Sequence, residues 1–174
     1  MELHDGQKSV RSLLYRGNVC VRVGRRWGKN FLLGTLAETE LQSGHNVIYV
    51  APYYRFKHEV KDLTGYDKFS FFTSGEGLGD ISGADLLILN EPAYFDPTFW
   101  DAAYPVIERS KRVIAIGTQD YTATSAKYFA MLPFEPGWAF YSGGSEECPI
   151  IPKGLLDEIK AERPEIYKVQ YGGH

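Results

Sequence analysis

The chain has 174 residues, of which 44% are hydrophobic and 24% charged, enough to bury a sizeable core, and the expectation is a single domain over residues 1–174. Its formal net charge of −3 gives no global basic footprint for nucleic acid, so any DNA contact has to be local or shared between subunits. No stretch approaches the roughly 20 apolar residues of a membrane span, the two cysteines Cys20 and Cys148 give no framework for a secreted fold, and Met1-Glu-Leu-His-Asp5 lacks a signal peptide's basic and apolar regions, which together predict a soluble intracellular protein.

In chain order, a weak helical stretch at Gln7–Tyr15 precedes the β-branched run Val19-Cys-Val-Arg-Val23, which reads as a strand. Gly24-Arg-Arg-Trp-Gly-Lys-Asn30 follows at once and leads into the apolar helical stretch Phe31-Leu-Leu-Gly-Thr-Leu-Ala37. A strand, a Gly-Lys turn and a helix form a phosphate loop: loop and first-turn amides point at phosphates and Lys29 adds a point charge. Gly24 and Gly28 let the backbone come close. The pattern departs from the usual one at Val23, where a glycine is customary, and at Asn30, where a Ser or Thr hydroxyl would hold magnesium. An ordinary strand-to-helix turn is the plainer alternative.

The helix runs to about Gln42 and stops at Ser43-Gly44, and strand 47–51 follows. Another strand is expected at Lys68–Phe72. Residues 74–83 carry two glycine clusters that open no helix, so they read as a mobile surface loop rather than a second phosphate site. Asp85-Leu-Leu-Ile-Leu-Asn-Glu91 is a buried-strand run with two polar residues at its carboxyl end, the edge at which open α/β sheets bind ligands. Helical signals return at Thr98–Arg109 and Lys153–Arg163. Strands alternating with helices imply a largely parallel sheet.

Four stretches together resemble the ATPase domain of the large terminase subunit, the motor that packages DNA into tailed-phage procapsids. They are Arg25-Arg-Trp-Gly-Lys29, Val47-Ile-Tyr-Val-Ala-Pro-Tyr53, Leu86-Leu-Ile-Leu-Asn-Glu-Pro-Ala-Tyr-Phe95 and Val113-Ile-Ala-Ile-Gly-Thr118, and Pro164–Gly173 resembles the family's closing segment. The resemblance implies a three-layer P-loop NTPase of the RecA-like (ASCE) division with a mainly parallel central sheet, and ATP with Mg2+ as its ligands. It implies Glu91, Arg25 and Lys29 as catalytic residues: Glu91 for the attacking water, Lys29 and Arg25 for the γ-phosphoryl charge. Gly24, Arg25, Arg26, Trp27, Gly28, Lys29, Asn30 and Phe31 would form the nucleotide cradle. Arg26 would face a neighbouring subunit, DNA or solvent, and Trp27 would pack over the loop or in the core. Gln7 is the candidate to contact adenine, against the alternative of a solvated helix face. Asn30 and Asn90 fall at the two metal positions, and Gly117, Thr118 and Gln119 at the motif coupling hydrolysis to movement.

Partners implied in the same way are double-stranded DNA, a portal protein, a small terminase subunit, a separate nuclease subunit (no nuclease domain follows in this chain) and further copies of the chain in a ring, with no membrane, in the cytoplasm of an infected bacterial host. A catalytically weak nucleotide-binding assembly subunit of the same fold is the alternative function. The histidines His4, His45, His58 and His174 lack metal-ligand spacing and read as surface residues. Asp96, Asp101 and Asp120 fall near the same sheet edge without forming an acid–base pair.

Overall fold

The computed structural model describes residues 2–65 and 69–173. Its six strands are β1 (Asn18–Val23), β2 (Val47–Ala51), β3 (Ser70–Thr73), β4 (Leu86–Asn90), β5 (Arg112–Gly117) and β6 (Trp138–Gly143). They form one sheet in the order β3-β2-β4-β5-β1-β6, and every neighbouring pair is parallel. A parallel sheet is covered on both faces, so its inner strands read as continuous apolar runs. All residues of β2 and β4 are accordingly buried.

The helices are α1 (Asp5–Leu14), α2 (Lys29–Gln42), α3 (Arg55–Thr64), α4 (Phe99–Arg109), α5 (Ala126–Met131), α6 (Lys153–Glu162) and α7 (Pro164–Gln170). Alternate strand side chains feed two separate cores, as the two-residue period of a strand requires. Val19, Val21, Val23, Tyr49, Ile88 and Ile114 pack against Val10 and Leu14 of α1, Leu32, Leu33 and Leu36 of α2, and Val60 of α3. Cys20, Val50, Leu87, Leu89, Val113 and Ala115 face the other way, onto Phe99, Trp100, Ala103 and Val106 of α4 and Phe129 of α5. The result is the three-layer α/β architecture expected of a P-loop NTPase.

Several boundaries move. The first helix starts at Asp5, α2 starts two residues before Phe31, and the expected strand at Lys68–Phe72 is Ser70–Thr73, Lys68 lying outside the described residues. Four elements had no sequence expectation, α3, α5, α7 and β6. Helix α3 is polar on average, and Phe56 and Val60, one turn apart, pack on the core. Strand β6 is an edge strand, half exposed along most of its length, and so lacks the apolar run of its neighbours. The glycine-rich segment 74–83 is a surface connection tied down at two points. Leu78 is buried in the α4-side core, and the Ser74 hydroxyl, itself buried, accepts the Asp96 amide proton at 3.1 Å.

Candidate nucleotide site

Strand β5 lies between β1 and β4, so the carboxyl ends of three adjacent strands deliver the loop after β1, Glu91 after β4 and Thr118 after β5 to one place. Gly28 turns the chain into α2 with φ 98°, a left-handed conformation that glycine adopts without steric cost. No side chain caps α2, so its first-turn amides keep the partial positive charge that attracts anions.

Glu91 is the hinge of the arrangement. Its backbone is left-handed, φ 56°, which aims the carboxylate back across the strand ends. One carboxylate oxygen sits 3.2 Å from the Lys29 ammonium, and the other accepts the Thr118 amide proton at 3.0 Å. Both charged side chains are largely shielded, Lys29 to 11% and Glu91 to 14% exposure, which strengthens their attraction relative to a surface pair. Lys29 also donates to the Gly24 carbonyl at 3.3 Å and to the Thr118 hydroxyl at 3.5 Å, while that hydroxyl donates to the Val23 carbonyl at 3.2 Å. Gly117 has to be glycine here: a Cβ would come within 2.9 Å of the Glu91 carboxylate and 3.1 Å of its Cα.

Two cavities open on this group. One of 440 Å³ runs along the loop and α2, lined by Arg26, Gly28, Lys29, Asn30, Phe31 and Glu91, with Ile150, Ile151 and Pro152 as an apolar wall. The other, of 330 Å³, lies beyond Glu91 and is lined by Arg25, Arg55, Glu91, Tyr94 and Thr118 with Pro52, Tyr53 and Phe56. Arg25 and Arg26 thus point to different cavities. Burial and the neighbouring Asp120 carboxylate, which accepts the Tyr94 hydroxyl proton at 2.9 Å, push the Tyr94 phenol up to about 12. A larger hollow of 580 Å³, lined by Arg16, Asn18, Glu108, Lys111 and Trp138, opens at the amino end of β1, away from the strand ends that bind ligands in α/β sheets.

Six of the expected residues, Gln7, Gly24, Trp27, Asn90, Gly117 and Gln119, line neither cavity. Trp27 is fully buried, its indole N–H donating to Glu147 at 2.7 Å, so it is a core residue. Gln7 is buried, which rules out a solvated helix face. Its amide donates to the Gly28 carbonyl at 3.0 Å and accepts the His4 backbone proton at 3.0 Å, bracing the loop from beneath. His4 belongs to the same brace, half-buried with Nε2 at 2.9 Å from the Trp27 carbonyl and its ring edge-on to that indole, so it is no surface residue. His45 and His58 are exposed, and His174 lies outside the described residues. Gln119 is buried and donates to the Ala126 carbonyl of α5 at 3.3 Å.

Gly24 carries a constraint unforeseen in the loop motif. A Cβ there would strike the Tyr171 carbonyl and the Ser145 hydroxyl. The closing segment after α7 lies directly on the loop: the Arg25 amide donates to the Gln170 carbonyl, the Ser145 amide to the Tyr171 carbonyl at 2.8 Å, and the Ser145 hydroxyl to the Arg25 carbonyl.

At the two amide positions, Asn30 donates to Glu59 of α3 at 2.7 Å, and Asn90 donates to the Asn30 oxygen at 3.2 Å and to the Tyr49 hydroxyl at 2.8 Å. The fully buried Asn90 leaves its own oxygen, Oδ1, without a protein partner. Among the described residues no three His, Cys, Asp or Glu side chains cluster as a ready metal site. Open amide oxygens beside one carboxylate nonetheless suit a hard cation that brings further oxygen ligands of its own.

No protein-family model and no curated protein matches the chain in sequence. Solved structures do match its fold. A mutant of the large terminase ATPase domain of Thermus phage P74-26 superposes with a TM-score of 0.75 at 15% identity, over 99% of this chain and 94% of that one. The large terminase of a second, thermophilic bacteriophage matches with a TM-score of 0.71 at 10% identity, over all of this chain and 54% of that one. The same thermophilic phage protein in complex with ATP-gamma-S matches at 0.68 and 12% identity, over 99% of this chain and 53% of that one. The chain therefore has the fold of large terminase ATPase domains and spans about half the length of the thermophilic phage's full terminase.

Proposed function

We propose that this chain is an ATP-hydrolysing motor subunit for viral DNA packaging, and the observation that carries the reading is Glu91 held between Lys29 and Thr118 at the mouth of the loop cavity. ATP lies along the 440 Å³ cavity with its phosphates on the α2 amides and Lys29 and its base toward the Ile150–Pro152 wall. Gln7 is spent beneath Gly28 and lines no part of this cavity, so the apolar wall is the better base contact. Lys29 then turns from Glu91 to the phosphates, and the released carboxylate orients the attacking water and takes its proton. Arg25, on the far side of Glu91, adds positive charge to the γ-phosphoryl group. Asn30, on the cavity wall, with the buried Asn90 bonded behind it, would be the residues to hold a magnesium ion, which would neutralise phosphate charge.

Thr118 bonds Glu91 and the β1 end, and Gln119 bonds α5, so a change at Glu91 passes to the α4–α5 layer. Double-stranded DNA, a portal, a small terminase subunit, a separate nuclease and neighbouring copies in a ring are the partners of such a motor, in the cytoplasm of an infected host. The two asparagines favour one second reading, a nucleotide-binding assembly subunit with slow or no turnover.

The test is turnover with magnesium, with and without DNA. Glu91→Gln is expected to keep nucleotide binding and lose at least about a hundredfold in rate, and Lys29→Ala to lose binding. Undiminished turnover in Glu91→Gln removes Glu91 from the mechanism.

A further inference from the structure

We infer that Glu59 of α3, which no motif assigns, replaces the carboxylate charge missing at Asn90 and serves as the positioning residue for the metal that accompanies the nucleotide. The inference rests on the nucleotide reading of the loop. Glu59 accepts a hydrogen bond from the Asn30 amide nitrogen at 2.7 Å. A carboxylate is acceptor-only, so this contact fixes which way the Asn30 amide points: NH2 to Glu59, oxygen away from it. The freed oxygen receives one N–H of Asn90 at 3.2 Å, and the other Asn90 N–H reaches the Tyr49 hydroxyl at 2.8 Å.

Both amides are thereby locked with their nitrogens spent inside the protein. Asn30 Oδ1 keeps one lone pair and Asn90 Oδ1 keeps both, the latter on a residue with no exposed surface. A buried acceptor without a donor is costly, and a cation beside the phosphates is a partner that relieves it. Magnesium takes oxygen ligands, retains several waters and prefers a nearby carboxylate, bound directly or through water. Glu59 supplies that negative charge at the amide pair, from a helix rather than from the end of β4. Among the described residues no cluster of acidic groups could hold a metal alone, so phosphate oxygens would complete the shell.

The experiment is calorimetric titration of ATP-gamma-S into the natural chain, Glu59→Gln, and Glu59→Gln combined with Asn90→Asp, each in magnesium and in EDTA, with Mn2+ paramagnetic resonance as a second readout of the metal. Gln at 59 still accepts the Asn30 hydrogen bond, so the substitution removes charge and keeps geometry. The expected result is unchanged affinity in EDTA, a magnesium-dependent gain at least about tenfold smaller in Glu59→Gln, corresponding to about 1.4 kcal/mol, and recovery of that gain with Asn90→Asp. A magnesium gain equal to that of the natural chain overturns the inference and leaves the nucleotide reading standing. Equal loss in EDTA and magnesium marks Glu59 as only a tie between α2 and α3, and also overturns it. Absence of nucleotide binding by the natural chain in both buffers defeats the nucleotide reading itself and this inference with it.

Discussion

Glu91 and Arg26 are the two non-glycine residues with left-handed backbone among those described, φ 56° and 60°, and both border the same cavity. Such conformations cost about 1–3 kcal/mol and persist where the surroundings over-determine them, which here means the Lys29 and Thr118 contacts of Glu91. The motif letters pointed to Lys29, Asn30 and Glu91, because a phosphate loop and an acidic strand end are local patterns. They did not reveal that Gly24 serves the closing segment or that Gln7 and His4 brace the loop, because those contacts join residues more than 20 positions apart. Cys20, behind the loop strand, offers a separate test. Burial pushes its thiol from the ordinary 9.0 up to about 12, so the folded chain keeps the proton that the unfolded chain releases. The thiol's contribution to stability is therefore level below pH 9 and falls as pH rises from 9 toward 12, by up to about 1.4 kcal/mol per pH unit. Urea unfolding at pH 8, 9 and 10 should show the decline, and Cys20→Ala should flatten it between 9 and 10; an unchanged slope in that variant would assign the decline to tyrosines such as Tyr49, whose phenol burial also raises.

Among the elements, the contact of the closing segment with the loop is the least anticipated. Helix α7 is a short exposed helix with no buried residue, so its apolar pattern predicts nothing about its position. Backbone hydrogen bonds from Arg25 and Ser145 to Gln170 and Tyr171 hold the segment on the loop. Gly24→Ala places a methyl group against the Tyr171 carbonyl, where no Cβ fits. The variant is expected to fold, to expose residues 164–173 to faster proteolysis, and to bind ATP-gamma-S about tenfold more weakly, a loss of about 1.4 kcal/mol. Natural affinity with a released segment would show that the loop holds its shape unaided. Strands β1, β2 and β4 were legible as apolar runs and β5 through its resemblance to the family's strand, while α3 and β6 were not read, α3 being polar on average and β6 a half-exposed edge strand. Missing α3 also meant missing Glu59.

For the whole molecule, the alternation of strands and helices was enough to imply a parallel sheet, but strand order is a long-range property that no local pattern encodes. The insertion of β5 between β1 and β4 is what places Thr118 between loop and carboxylate, and it makes one constellation from residues as much as 89 positions apart. On the proposed reading this constellation drives ATP hydrolysis despite its two asparagines. The measurement that tests it most directly is ATP binding and turnover by the purified chain, with and without magnesium, against Lys29→Ala. A working motor subunit shows binding and magnesium-dependent turnover, both lost in the variant. Binding without turnover, even with DNA and neighbouring copies supplied, would contradict the motor reading and leave an assembly subunit in its place.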